Sequence, residues 1–398
     1  MSSYVRIAVS AAVALVLSLA ATPVVKSFAN HIGAIDFPKD SRRVHQTPIP
    51  RLGGLAIFIG FLLSVILFVD ITTQIRGILF GAVLIVVIGA IDDVKPLHAI
   101  VKLIFQILAA LVAIYHGVII EAFSNPFVFS PDQYLPLGFF SIPVTVIWIV
   151  AITNSVNLID GLDGLAVGVS AISSIVMLVI AVMVSEPNIA VIMAALAGGC
   201  IGFMPYNLNP AKIFMGDTGA LLLGYVLATV SIPGLFKLYA LVSFAAPFLV
   251  LALPLFDTSF AFLRRLIKRQ NPLSPDRGHF HHRLIDMGLS QKQAVAILYT
   301  ISGLLGLVAV VITTSVKMKA LILAIAAAVA AFIVFFAFKG VRKPAARNGT
   351  GNIGGEPESD GQAEAAIPAK QESDDQLGTT TQEKPDEKPK QVNENEKL

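Results

Sequence analysis

The feature that most limits what this chain can become is the recurrence of apolar runs of about 20 residues along most of its length. Each is long enough to cross a bilayer core of about 30 Å. Hydrophobic residues make up 55% of the 398 and charged residues only 14%, so the chain reads as an all-α polytopic membrane protein. About eleven spans are expected, centred near residues 15, 61, 83, 109, 149, 175, 196, 223, 251, 303 and 329. Past Phe338 the composition changes to Glu, Gln, Pro and Lys without aromatics, too polar to bury a core. Residues 1–338 are therefore expected to form one multi-pass membrane domain, and residues 339–398 a disordered soluble tail. The lone cysteine, Cys200, lies inside an apolar run and excludes an intramolecular disulfide framework.

Orientation follows from the basic residues. Arg6 alone precedes the first apolar run, whereas Lys26, Lys39, Arg42, Arg43 and Arg51 follow it. That asymmetry is the reverse of a signal peptide's and predicts an uncleaved span with its N-terminus outside. The inside loops are then 26–51, 92–98, 154–164, 206–217 and 263–292, and the first and last carry most of the Lys and Arg, as the positive-inside rule requires. The tail is placed inside by the same count, so the sequon at Asn348 would escape glycosylation.

Every polar cluster able to carry chemistry falls in one of those inside segments. They are DFPKDSRRVHQTPIPRLGG (Asp36 to Gly54), IDDVKPL (Ile91 to Leu97), NLIDGLDGLA (Asn157 to Ala166), FMGDTGA (Phe214 to Ala220) and SPDRGHFHHRL (Ser274 to Leu284). Five segments on one side can converge on one face. Acids held near membrane depth are costly enough to be read as functional.

The five motifs, in this order across roughly residues 1–338, resemble the polyprenyl-phosphate N-acetylhexosamine-1-phosphate transferase family. Within it, DRGHFHHRL is similar to the subgroup using UDP-N-acetylglucosamine, and the likeness is strongest to enzymes that begin wall teichoic acid linkage units. Ala220 and Phe280 stand where many relatives have Ser and Leu or Ile. The resemblance implies transfer of N-acetylglucosamine-1-phosphate from UDP-N-acetylglucosamine to undecaprenyl phosphate at the cytoplasmic face of a bacterial plasma membrane, with release of UMP and with Mg²⁺ or Mn²⁺ as cofactor. It casts Asn157 and Asp217 as metal ligands, and Asp92 or Asp93 as a base. The partners expected are the two substrates and the bilayer; a homodimer is compatible with this, and no nucleic acid is expected.

Physical chemistry is consistent with that assignment. Joining two phosphate anions needs cations, and Mg²⁺ takes one or two protein oxygens together with substrate phosphates. Asp160 and Asp163 would share a face if their segment were helical, and could support metal or substrate. A lipid phosphate monoester, with a second pKa near 6, is largely deprotonated at neutral pH, so Asp92 and Asp93 can equally position substrate groups. Adjacent on a helix, they point in different directions. Arg43, His45 and Arg51 are candidates for lipid phosphate or pyrophosphate. Arg277, His279, His281, His282 and Arg283 are candidates for anion or sugar binding; a zinc site from these histidines is opposed by the flanking arginines. Gly53 and Gly54 suit either close backbone approach or helix packing, and Asp257 can pair with Arg264 or Arg265. The other donors expected are another UDP-N-acetylhexosamine or UDP-MurNAc-pentapeptide. A secondary transporter is the non-enzyme alternative, but it would hold its acids near midplane. Phe214-Met215-Gly216-Asp217 lacks the first glycine of the aspartyl protease motif, and no P-loop occurs.

Overall fold

The computed structural model describes residues 2–37, 48–124, 134–235, 248–267 and 280–313. Its helices are α1 (Ser3–His31), α2 (Gly54–Phe68), α3 (Thr73–Val94), α4 (Ala99–Tyr115), α5 (Ser141–Leu158), α6 (Leu165–Met183), α7 (Pro187–Asn207), α8 (Gly216–Leu235), α9 (Ala252–Ile267), α10 (Phe280–Asp286) and α11 (Gln291–Thr313). Two short antiparallel pairs complete it: β1 (Ile35–Asp36) with β2 (Ile49–Pro50), and β3 (Ala122–Ser124) with β4 (Tyr134–Pro136).

Among the described residues seven helical segments are long and apolar enough to cross a membrane, in α1, α3, α5, α6, α7, α8 and α11; α2 and α4 are apolar but shorter. This makes the chain an all-α polytopic membrane protein. Nine of the eleven expected centres fall inside a helix, the one near 251 falls beside the start of α9, and the one near 329 lies outside the described residues. So does the tail expected over residues 339–398.

Local sequence sets the helix ends. The Thr72 hydroxyl accepts from the Ile75 amide at the start of α3, and His98 Nδ1 accepts from the Ile100 amide at the start of α4. Gly164 takes the left-handed conformation (φ 80°) that a side chain would resist, and α6 begins at the next residue. Pro187 opens α7, where a missing amide costs nothing.

Packing relies on small residues, because lipid tails are as apolar as leucine and offer no hydrophobic drive for helices to associate. Ser10, Ala14, Ser18 and Thr22 form the buried stripe of α1. Opposite them, Gly198 and Gly202 of α7 lie against the carbonyls of Ala11 and Leu15, and Gly60 of α2 lies against that of Ala14. Helices α7 and α8 are the most enclosed spans.

The entrances to α2 and α8 are zipped together. The Phe214 amide donates to the Pro50 carbonyl (2.8 Å), and the Gly53 and Gly54 amides donate to the carbonyls of Phe214 (3.0 Å) and Met215 (2.8 Å). Of the two purposes considered for Gly53 and Gly54, both are served: their amides form the zipper, and Gly54 also packs on the backbone of Gly219. A side chain there would meet backbone, which cannot swing aside. Gly54→Val is therefore expected to lower stability by at least about 1–3 kcal/mol, read as a fall in the apparent melting temperature of the detergent-solubilised protein; an unchanged melting temperature would contradict this packing.

Candidate active site

The chain direction brings the start of α2, the end of α3, the start of α4, the ends of α5 and α7 and the start of α8 to one end of the bundle, where their polar residues meet. Asp93, in the last turn of α3, is only 1% exposed. Its carboxylate accepts the Asp217 amide (2.9 Å), the Thr218 amide (3.0 Å) and the Thr218 hydroxyl (2.6 Å). These are the donors that the start of a helix leaves unsatisfied, so Asp93 caps α8 from another helix. Gly216 (φ 72°) packs directly against that carboxylate, in space a side chain would need.

Asp92 points elsewhere, as expected of helix neighbours. Its carboxylate accepts the Leu97 amide (2.7 Å), which ties down the α3–α4 connection, and Lys102 Nζ (3.3 Å). Lys102, in the first turn of α4, also donates to Asp217 Oδ2 at 2.7 Å. Asn157 Nδ2 lies 3.5 Å from the same oxygen. Side chains of α4 and α5 thus meet on the Asp217 carboxylate at the entry of α8, and Lys102 links it to Asp92 of α3.

Asp160 and Asp163 lie in a turn between α5 and α6, not on a helix, so the shared face considered for them does not form. Asp163 accepts Asn209 Nδ2 (2.9 Å) and the Ala211 amide (3.1 Å), and Asn209 also donates to Gln291 of α11 (2.7 Å). Asp160 is half-buried, and its carboxyl is pushed up to about 8, first by lost hydration and then by the negative charges of Asp217, Asp93 and Asp163.

The arginines divide. Arg51 lies at the site, but its guanidinium donates to the Asp93 (3.0 Å) and Asp92 (3.3 Å) carbonyls, closing the C-terminal end of α3. Arg283 is exposed and sits over the Phe260 ring of α9. Arg43, His45, Arg277 and His279 lie outside the described residues; His281 and His282 belong to α10, but their side chains lie outside the description. The zinc alternative rests on those histidines and lies outside it too.

Sequence reasoning overlooked Lys102, Thr218 and Asn209. Lys102 had a legible signal, since a lysine four residues into an apolar run is an expensive placement. Thr218 and Asn209 gave none, because their partners are 125 and 46 residues away.

A hard divalent cation fits this donor set. Among the described residues no three His, Cys, Asp or Glu side chains gather tightly enough to hold a metal by themselves. Asp217 with the Asn157 amide, turned to present its oxygen, offers the two protein ligands that Mg²⁺ takes when substrate phosphates supply others.

Acids braced by a lysine at the end of a membrane bundle suit a divalent cation, through which phosphate groups could be held. Known proteins narrow that reading. The profile of Glycosyl transferase family 4 matches residues 75–235. A Bacillus subtilis (strain 168) protein named "Probable undecaprenyl-phosphate N-acetylglucosaminyl 1-phosphate transferase" is 41% identical over 312 residues, covering 78% of this chain and 86% of that protein. A "Decaprenyl-phosphate N-acetylglucosaminephosphotransferase" of Mycolicibacterium smegmatis is 35% identical over 332 residues (73% and 78%). A "Phospho-N-acetylmuramoyl-pentapeptide-transferase" of Staphylococcus epidermidis (strain ATCC 12228) is 33% identical over 285 residues (66% and 85%). The chain belongs to Glycosyl transferase family 4, and the family resemblance read from its motifs is borne out.

The raised Asp160 carboxyl would make the binding of a cation beside it pH-dependent. At pH 7 the cation-free carboxyl, at about 8, is mostly protonated. A cation among these acids favours the charged form, so binding releases a proton, and affinity rises with pH until about 8. Calorimetry of Mg²⁺ binding at pH 7 in buffers of different ionisation enthalpy should show release of up to about one proton; no release would remove Asp160 from the neighbourhood of the cation.

Proposed function

We propose that this chain transfers N-acetylglucosamine-1-phosphate from UDP-N-acetylglucosamine to undecaprenyl phosphate, forming a lipid-linked pyrophosphoryl sugar and UMP at the cytoplasmic face of a bacterial plasma membrane. The chain is a phosphotransferase, and its relatives' names support a polyprenyl phosphate acceptor and the N-acetylglucosamine phosphate transferred to it, from which the UDP-linked donor is proposed. The observation that carries the reading is the meeting of Lys102 and Asn157 on the Asp217 carboxylate at the helix ends, beside Asp92. The side of the membrane is proposed from the positive-inside count. Teichoic acid synthesis is the downstream use we favour, from the likeness of the histidine motif.

In this reading a phosphate oxygen of the lipid attacks the sugar-linked phosphorus and UMP leaves. Such transfers depend on positioning and charge neutralisation more than on covalent help from the protein. Asn157 and Asp217 would hold Mg²⁺ or Mn²⁺, which supplies Lewis acidity and offsets charge on the phosphates. Lys102, poised between Asp92 and Asp217, turns its ammonium to the incoming pyrophosphate. Asp92 then orients that lysine. Asp93, occupied by three donors from α8, acts by positioning Asp217 instead of taking a proton. Arg43, His45 and Arg51 are assigned to the lipid phosphate side, and Arg277, His279, His281, His282 and Arg283 to the nucleotide sugar.

The Staphylococcus epidermidis relative gives a second donor, UDP-MurNAc-pentapeptide, a concrete footing. Purified protein with Mg²⁺, undecaprenyl phosphate and either donor decides between them: UMP and lipid-linked sugar should form with UDP-N-acetylglucosamine. Product from neither donor would defeat the proposal and leave the transporter alternative. Asp217→Asn should abolish turnover in a folded protein. Lys102→Met should lower kcat by about 10²–10³, the usual cost of losing one donor to a developing anion; wild-type turnover in either variant would remove that residue from the site.

A further inference from the structure

We infer that Gln106 and Asn154, joined by reciprocal amide hydrogen bonds between α4 and α5, are positioning residues that set the register of Lys102 against Asn157. Gln106 Nε2 donates to Asn154 Oδ1 (3.3 Å), and Asn154 Nδ2 donates to Gln106 Oε1 (2.6 Å) and to the Val150 carbonyl (2.8 Å). Gln106 is 2% exposed. It lies one turn below Lys102 on α4, and Asn154 lies three residues before Asn157 on α5, so each amide shares a face with one member of the site.

An amide pair whose Gln106 is buried and whose Asn154 is half-buried is not there for want of an apolar replacement. The other buried residues of α4 are Ala109, Ala110 and Ala113, too small to interlock with a neighbour and fix its height. Alanine faces slide at little cost, whereas two amides that must satisfy each other permit one height only. A slip of one residue on α4 would move Lys102 by about 1.5 Å along the axis and turn it about 100°. Its 2.7 Å bond to Asp217 would be lost. The pair therefore supports the site from beneath, without touching substrate.

The inference rests on the phosphotransferase reading, and the experiment separates the two. The double variant Gln106→Met with Asn154→Leu removes both amides at similar volume and leaves no polar group unpaired, a change that is close to neutral for stability. In the full chain reconstituted in lipid, its melting temperature should match or exceed wild type. Its kcat should fall about tenfold or more, with KM for both substrates within about threefold, because placement matters most in the transition state. The exchanged pair, Gln106→Asn with Asn154→Gln, should return kcat to within about threefold of wild type, since it restores both bonds. A double variant with wild-type kcat overturns the inference, as does a loss that the exchanged pair leaves unrepaired. Wild-type protein that forms no UMP would instead overturn the phosphotransferase reading.

Discussion

The structure turns on one buried carboxylate. Asp93 lies at the end of α3 and takes up three donors from the first turn of α8, among them the amide of Asp217 itself. A carboxylate removed from water is tolerable only when fully hydrogen-bonded, and a helix start needs acceptors, so each removes the other's cost. Around this joint, the strand-like pairing of residues 50–54 with 214–215 fixes the entrance of α2, and Arg51 returns from it to close the carbonyl end of α3. The side chain of Asp217 is what the joint leaves free to face Lys102 and Asn157.

The membrane dictates where such a site can be. Charges are least costly at helix ends, and a bundle packed through glycine and small residues brings those ends close enough for a single lysine to bridge acids from α3 and α8. One turn deeper along α4 and α5, Gln106 and Asn154 satisfy each other's amides.

Much of this was legible in the sequence because lipid imposes simple rules. Apolar runs gave the helices, and the alternation of span directions put the motifs at one end, where hydrogen bonds join four of the five segments. Residues 274–279 of the fifth lie outside the described residues. What was hidden were the partners. Nothing near Asp93 in the chain announces that its acceptors serve an amide 124 residues on, although its adjacency to Asp92 on a helix already spoke against one shared role. Gly161 and Gly164 are the signal for the turn that the helical face aligning Asp160 with Asp163 passed over. Lys102 was readable by the same cost argument that singled out the acids.

The central claim is that Asp93 acts by holding the start of α8. Amide hydrogen exchange resolved over Asp217 and Thr218, measured in wild type and in Asp93→Ala beside UMP release, tests it most directly. The account predicts that these amides exchange faster in the variant while the distal half of α8 stays protected, and that turnover is lost with them. Wild-type protection of both amides in a variant that has lost turnover would contradict it and return Asp93 to the role of a base.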